Sequence, residues 1–230
     1  MAEFDEYADG YKAGMEDPIK RAIGDSHERF LRIKLDQIHS DLRESELKKS
    51  LTYLDFGCGE GAFLALVSEA HAQWNINGYD ISEKMLKQAR HRYPELSSCR
   101  WHHDVDSLEE GSFDVITAIC VFHHIPPALW QESMNKIYRL LKPGGSFYIF
   151  EHNPFNPLTL LIVKRAEIDR NAVLLSPGKS SGLARRTGFR NVITRFFLFT
   201  PPNWSISPRL DQYLTSLPLG GQYMVRAKKT

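Results

Sequence analysis

The chain has 230 residues, 42% of them hydrophobic, which suffices for a real core in one α/β domain with a modest appendage. Its 29 Lys and Arg nearly cancel 28 Asp and Glu, leaving a formal charge of +1, so no global field draws the protein to nucleic acid or to an anionic membrane. A polar, acidic start and a longest apolar run of only Leu158 to Val163 argue against a secretory leader and a membrane span.

These features predict a cytoplasmic protein, a monomer or weak dimer, with a small-molecule partner. Cys58, Cys99 and Cys120 form no CxxC pair and leave an odd thiol, which opposes both a disulfide framework and a structural zinc site. His102-His103 and His123-His124 are adjacent pairs. On a strand, neighbours point to opposite faces, so neither pair makes a chelate and no metal is expected.

In chain order, Tyr7, Tyr11, two glycines and Pro18 make an irregular arm. Asp25-Ser26-His27-Glu28 has the spacing of a capping box, and Leu31, Leu35, Ile38 and Leu42 follow at helical intervals, predicting a helix from Ser26 to about Arg43. A charged connector, Glu44 to Ser50, leads into a first strand, Leu51 to Phe56, which the glycine-rich run Gly57-Cys58-Gly59-Glu60-Gly61 ends. From there strands alternate with helices, the signature of a parallel sheet covered by helices. The expected elements are a helix Ala62 to Ala70, a strand Trp74 to Tyr79, a helix capped by Ser82, strands Cys99 to His102 and Phe113 to Cys120, and a helix from Trp130 to Leu141. Lys142-Pro143-Gly144-Gly145 then turns the chain into a fifth strand, Ser146 to Phe150. A Pro-punctuated insertion carries one helix, Pro157 to Glu167. Helices near Gly182 to Arg186 and Arg209 to Leu217 accompany two last strands, Val192 to Thr200 and Gln222 to Lys228, expected to pair antiparallel at the sheet edge.

Gly57, Gly59 and Gly61 present no Cβ, so a ligand can approach the backbone between the first strand and its helix. Asp80, about 20 residues beyond, stands where an adenosine ribose offers its hydroxyls, and Asp104 closes the third strand, with Val105 placed to flank an adenine. Gly57-x-Gly59-x-x-Ala62 also satisfies the permissive dinucleotide pattern. Asp55 favours a different cofactor, because a carboxylate at the strand end repels a pyrophosphate and attracts an ammonium.

Leu54-Asp55-Phe56-Gly57-Cys58-Gly59-Glu60-Gly61 resembles the first motif of class I S-adenosylmethionine-dependent methyltransferases. Gly78-Tyr79-Asp80-Ile81-Ser82 resembles the family's ribose-binding loop, Phe113 to Ile125 its fourth strand and following loop, and Leu140 to Gly145 the turn before its fifth strand. The resemblance spans about residues 51 to 151. It implies a Rossmann-like fold with a seven-stranded, mostly parallel sheet, a terminal antiparallel hairpin and helices on both faces. It also implies one domain: a lid and helix over 1–45, a cofactor core over 51–151, a substrate-side insertion over 152–190 and terminal strands over 191–230.

By the same resemblance S-adenosylmethionine is the cofactor and S-adenosylhomocysteine the product. Gly57, Cys58, Gly59 and Gly61 would line its methionine end with Asp55 near the ammonium, Asp80 would hold both ribose hydroxyls, Ile81 and Val105 would sandwich adenine, and Asp104 would bond its amine. The Cys120 backbone would lie near the sulfonium, and Tyr11 would sit on a lid over the cofactor.

Methyl transfer from a sulfonium is an in-line displacement, so positioning and dehydration carry much of the catalysis. A hydroxyl or carboxyl acceptor of a small molecule is the expected target. For a hydroxyl, a base must take its proton; of His123, His124, Glu151 and His152, the favoured pair is His124 and His152, with Glu151 expected to order the loop. Rival readings are a nicotinamide-dependent oxidoreductase and a non-catalytic cofactor-binding regulatory module.

Overall fold

Strict alternation in the central strands sends successive side chains to opposite faces, and each face recruits its own helices. In β1 (Thr52–Phe56), Leu54 and Phe56 join one core while Tyr53 joins the other. In β4 (Phe113–Ile119), Ile116 and Ala118 point one way and Val115 the other. The computed structural model describes residues 27–200 and 213–230. The arm with Tyr7 and Tyr11, and the start of the helix expected near Arg209, lie outside the described residues.

Ahead of the sheet, α1 (His27–Asp41) buries Leu31, Leu35 and Ile38, and short α2 (Glu44–Leu47) occupies the charged connector. After β1 come α3 (Ala62–Ala70), β2 (Asn75–Tyr79), α4 (Glu83–Arg92), β3 (Arg100–His102), β4, α5 (Trp130–Leu140) and β5 (Leu141–His152). The insertion carries α6 (Pro157–Arg165) and a 3-10 turn, Glu167–Asp169. Then α7 (Pro177–Thr187), β6 (Arg190–Phe197) and β7 (Gln222–Lys228) complete the elements of the described residues.

The seven strands lie in the order β3-β2-β1-β4-β5-β7-β6. β7 alone runs against its neighbours, pairing antiparallel with both β5 and β6. The expected terminal hairpin is therefore present, with its last strand internal and β6 on the edge. α1 and α3 cover one face over Tyr53, Val115, Tyr148 and Phe150; α5 and α7 cover the other over Leu54, Ile116, Phe147 and Val225. Met134 and Ile137 of α5 are fully buried, and burial of each contributes roughly 2 kcal/mol.

Strand order reverses between β1 and β4, so loops leaving their C-terminal ends diverge and open a crevice there. Among the described residues no helix is long and apolar enough to cross a membrane.

Candidate functional site

The turn after β1 is built on backbone that only glycine adopts at little cost. Gly57, Gly59 and Gly61 have φ of 80°, 52° and 80°. At Gly57 a Cβ would also lie 2.6 Å from Val121 Cγ2, so the loop after β4 packs directly on this turn. The N–H groups of Gly57 and Cys58 donate to the Tyr79 carbonyl at the end of β2 (2.7 and 2.9 Å), stitching the turn to the neighbouring strand. Gly61 then starts α3 without a side-chain cap, so no side chain at that position satisfies the helix's first N–H groups.

Asp80 has a structural partner that sequence reasoning did not foresee. Its Oδ2 accepts from Gly59 N–H (2.8 Å) and its Oδ1 from Ser82 N–H (2.9 Å). One carboxylate thus ties the glycine turn to the loop after β2, and Ser82 in turn caps α4 by accepting from Met85 N–H (3.2 Å). Beside it Ile81 is 66% exposed, an apolar side chain offered to a ligand. Asp104 caps the 3-10 turn that begins at Val105, accepting from Asp106 N–H (2.9 Å).

Asp55 is 2% exposed and faces Thr117 across the β1–β4 ladder. Thr117 Oγ1 donates to its Oδ1 (2.7 Å), and with that proton committed the Tyr53 hydroxyl donates to Thr117 (2.5 Å). Burial raises the Asp55 pKa to about 7, with Thr117 opposing and the Asp80 charge assisting. A buried carboxylate whose hydrogen-bond partner is a neutral hydroxyl is a site prepared for a cation. Thr117 and Tyr53 escaped the sequence reading; a threonine in the apolar stretch Val115 to Ile119 was their only signal.

Cys120, just beyond β4, holds φ of 55°, a conformation that costs a non-glycine residue of order 1 kcal/mol, and its N–H is anchored on Phe150 O (2.8 Å). Its thiol is half-buried.

The histidines form a second group at the ends of β4 and β5. Glu151, fully buried, accepts from Phe122 N–H (2.8 Å) and from His123 Nδ1, so it ties the loop after β4 to the end of β5. His123 and His124 lie in a 3-10 turn, Phe122–His124, and not on a strand. Their rings therefore stand side by side, centroids 4.1 Å apart, which corrects the expectation that the pair points to opposite faces. Asp169 of the insertion, which no sequence signal singled out, places Oδ1 3.4 Å from His123 Nε2 and 3.5 Å from His124 Nε2. These three residues are a geometric candidate for a metal, against the reasoning that excluded one.

Burial works against a proton on His123, but Glu151 and Asp169 outweigh it and raise the pKa to about 10. In His124, burial and then the His123 charge prevail over Asp169 and lower it to about 3. Asp169 is itself lowered: burial opposes, but His123 and the neighbouring His152 and His124 dominate. The His152 ring lies 5.3 Å from that of His123, and Gln222 Nε2 approaches its Nδ1 at 3.5 Å. Of the residues expected at the site, Tyr11 falls outside the described residues.

A doubly covered, mostly parallel sheet with a glycine turn and acidic groups at its switch point defines a Rossmann-like nucleotide-binding protein. Residues 54–147 match the family model of a methyltransferase domain. The chain is 31% identical over 150 residues to the ubiquinone biosynthesis O-methyltransferase of Thiobacillus denitrificans, covering 59% of this chain and 62% of that one. It is 29% identical over 150 residues to the tRNA N(3)-methylcytidine methyltransferase of Schizosaccharomyces pombe, covering 61% and 48%. A crystal structure of a methyltransferase from Thermotoga maritima superposes over 99% of this chain and 98% of its own with a TM-score of 0.71 at 19% identity, a likeness of fold. Over residues 54–147 the chain is therefore similar to the methyltransferase domains of S-adenosylmethionine-dependent enzymes. It spans about half the length of several of these curated relatives, 48% of the tRNA enzyme among them. S-adenosylmethionine is the family's cofactor, and the cation-seeking Asp55 beside a glycine turn fits its ammonium and sulfonium charges.

Proposed function

We propose that this chain transfers the methyl group of S-adenosylmethionine to a hydroxyl or carboxyl of a small molecule. The observation that carries this reading is Asp55, a buried carboxylate with a neutral partner, at the end of β1 beside the glycine turn. A pyrophosphate placed there would meet a negative charge, whereas the ammonium of a methionine moiety would neutralise it.

In this reading Gly57, Cys58, Gly59 and Gly61 bring backbone against the methionine end, and Asp80 uses its remaining lone pairs for the ribose hydroxyls. Ile81 and Val105 flank adenine, Asp104 accepts from its amine, and Cys120 lines the sulfonium side. When bound, the cofactor supplies an activated methyl group; the chain's part is to orient the acceptor in line, exclude water and hold a place for the acceptor's proton.

Of the two candidate histidines, we assign that proton to His152. His124, held at about 3, stays neutral at working pH but attracts a proton weakly. The near-neutral charge supports a small acceptor over an extended anionic one.

Calorimetric titration with S-adenosylhomocysteine and with NAD tests the cofactor: binding of the first alone is expected, and binding of NAD alone overturns the reading. Labelled S-adenosylmethionine with fractionated metabolites, and in parallel with tRNA, tests the acceptor. Label entering tRNA and no metabolite would replace the small molecule with RNA. Tight cofactor binding with no labelled product from any fraction would make the chain a regulatory module.

A further inference from the structure

We infer that His123, His124 and Asp169 form a binding site for one divalent cation of the zinc class, between the turn after β4 and the inserted segment. Two imidazoles and a carboxylate are the borderline donor set that zinc prefers, and their donor atoms lie within 4.8 Å of one another.

Two of the three spacings are those of a shared ion. With metal–ligand bonds of about 2.1 Å, neighbouring donors of a tetrahedral site stand about 3.4 Å apart. Asp169 Oδ1 is 3.4 Å from His123 Nε2 and 3.5 Å from His124 Nε2. A charge-assisted hydrogen bond between imidazole and carboxylate would instead close to about 2.8 Å. His123 Nε2 is also a buried nitrogen whose contact with Asp169 lacks hydrogen-bond geometry, on a side chain 1% exposed. Such a group is costly unless something occupies the space it faces.

Glu151 completes the pattern. By accepting from His123 Nδ1 it fixes the ring with Nε2 aimed at Asp169 and His124, the carboxylate–histidine arrangement that orients metal ligands. Its other oxygen is held by Phe122 N–H, so the carboxylate cannot swing in as a ligand itself without giving up the turn. The backbone brings the two segments together independently of any ion, since Val173 N–H donates to His123 O (2.8 Å). Three protein ligands leave a fourth position for water or an acceptor oxygen.

The test uses the cation alone, so its outcome is separate from that of the cofactor titration. Chelator-treated, dialysed full-length protein is titrated with zinc chloride by calorimetry and with cobalt chloride by visible absorption. One equivalent of zinc, a raised thermal transition and cobalt d–d bands of tetrahedral intensity are expected. Asp169→Asn and His124→Gln should each weaken zinc binding at least tenfold. His39→Gln, at the separate His39–His71 contact, should leave it unchanged. His124 has a 15% exposed side chain, so His124→Gln decides the matter if Asp169→Asn does not fold. No stoichiometric uptake by the wild type, or equal uptake by the folded variants, would leave these residues a buried ion network and overturn the inference.

Discussion

Replacing Asp55 with Asn separates the cost of a buried charge from its use. The Asp55 pKa is raised from 3.8 to about 7 by burial, so the folded state holds its proton more tightly than the unfolded one. A raised pKa contributes stability that is full below the unfolded value and is lost as pH rises through the folded value. Each pH unit between about 4 and 7 therefore removes about 1.4 kcal/mol, and from pH 5 to 7 the loss is about 2 kcal/mol after rounding near the folded pKa. Asn keeps the shape and an oxygen for Thr117 but has no charge to bury. Relative to wild type, Asp55→Asn should gain stability progressively over that window, about 4–8 °C of transition temperature for a domain of this size.

Cofactor affinity should move the other way. An ammonium favours the ionised carboxylate, so wild-type affinity for S-adenosylmethionine should fall nearly tenfold for each unit below about pH 7, while the variant binds weakly at every pH. Thermal scans from pH 5 to 8, with and without S-adenosylhomocysteine, measure both. If the stability difference between the two proteins does not change with pH, the buried-charge argument is wrong. If affinity is unaffected at pH 8, Asp55 does not meet the ammonium.

Gly57→Ala should destabilise by more than about 1 kcal/mol, because it pairs a left-handed backbone with a Cβ 2.6 Å from Val121; chemical denaturation measures it. Asp80→Ala should weaken cofactor binding by about 1.5–3 kcal/mol and also lower the thermal transition, since the N–H groups of Gly59 and Ser82 lose their acceptor; an unchanged transition would mean the turn holds without it. Glu151→Ala should cost about 3–5 kcal/mol by stranding His123 and Phe122 N–H in the core, read from urea midpoints, with Glu151→Gln losing less. Once an acceptor is known, His152→Gln should lower turnover more than cofactor affinity, and His124→Gln should do so less; the reverse order would make His124 the proton acceptor.

The repeating core was legible because its physics is local. β1, β2 and β4 announce themselves by buried runs between turns, and α3 and β7 have the bounds that the sequence suggested. β5 begins earlier than the alternation implied, at Leu141, because Leu141, ahead of the Lys142–Gly145 turn, already pairs with Phe113 at the start of β4. α7 is longer than its short apolar core suggested: Ser176 caps it, Pro177 opens it and Gly188 closes it, so end signals outweighed four interior residues of low helix propensity, Gly178, Ser180, Ser181 and Gly182.

In the site, Asp55, Asp80 and the glycines were legible from their places at strand ends. Their partners were not. Thr117 reaches Asp55 across a ladder between residues 62 positions apart, and Asp169 reaches the histidines from a loop with no periodicity. Mistaking the His123-His124 turn for strand hid that second group, because a period of two separates side chains that a 3-10 turn brings together.

The place of β7 sets an order on synthesis. Until residues Gln222–Lys228 leave the ribosome, β5 presents an open edge along Ser146 to His152, and β6 has no strand to join. For that interval the nascent chain carries an unpaired apolar margin in the middle of its future sheet, the kind of template that recruits other chains. Slow translation through the stretch before Gln222 would lengthen the exposure, and holding factors that shield the β5 edge would gain most there.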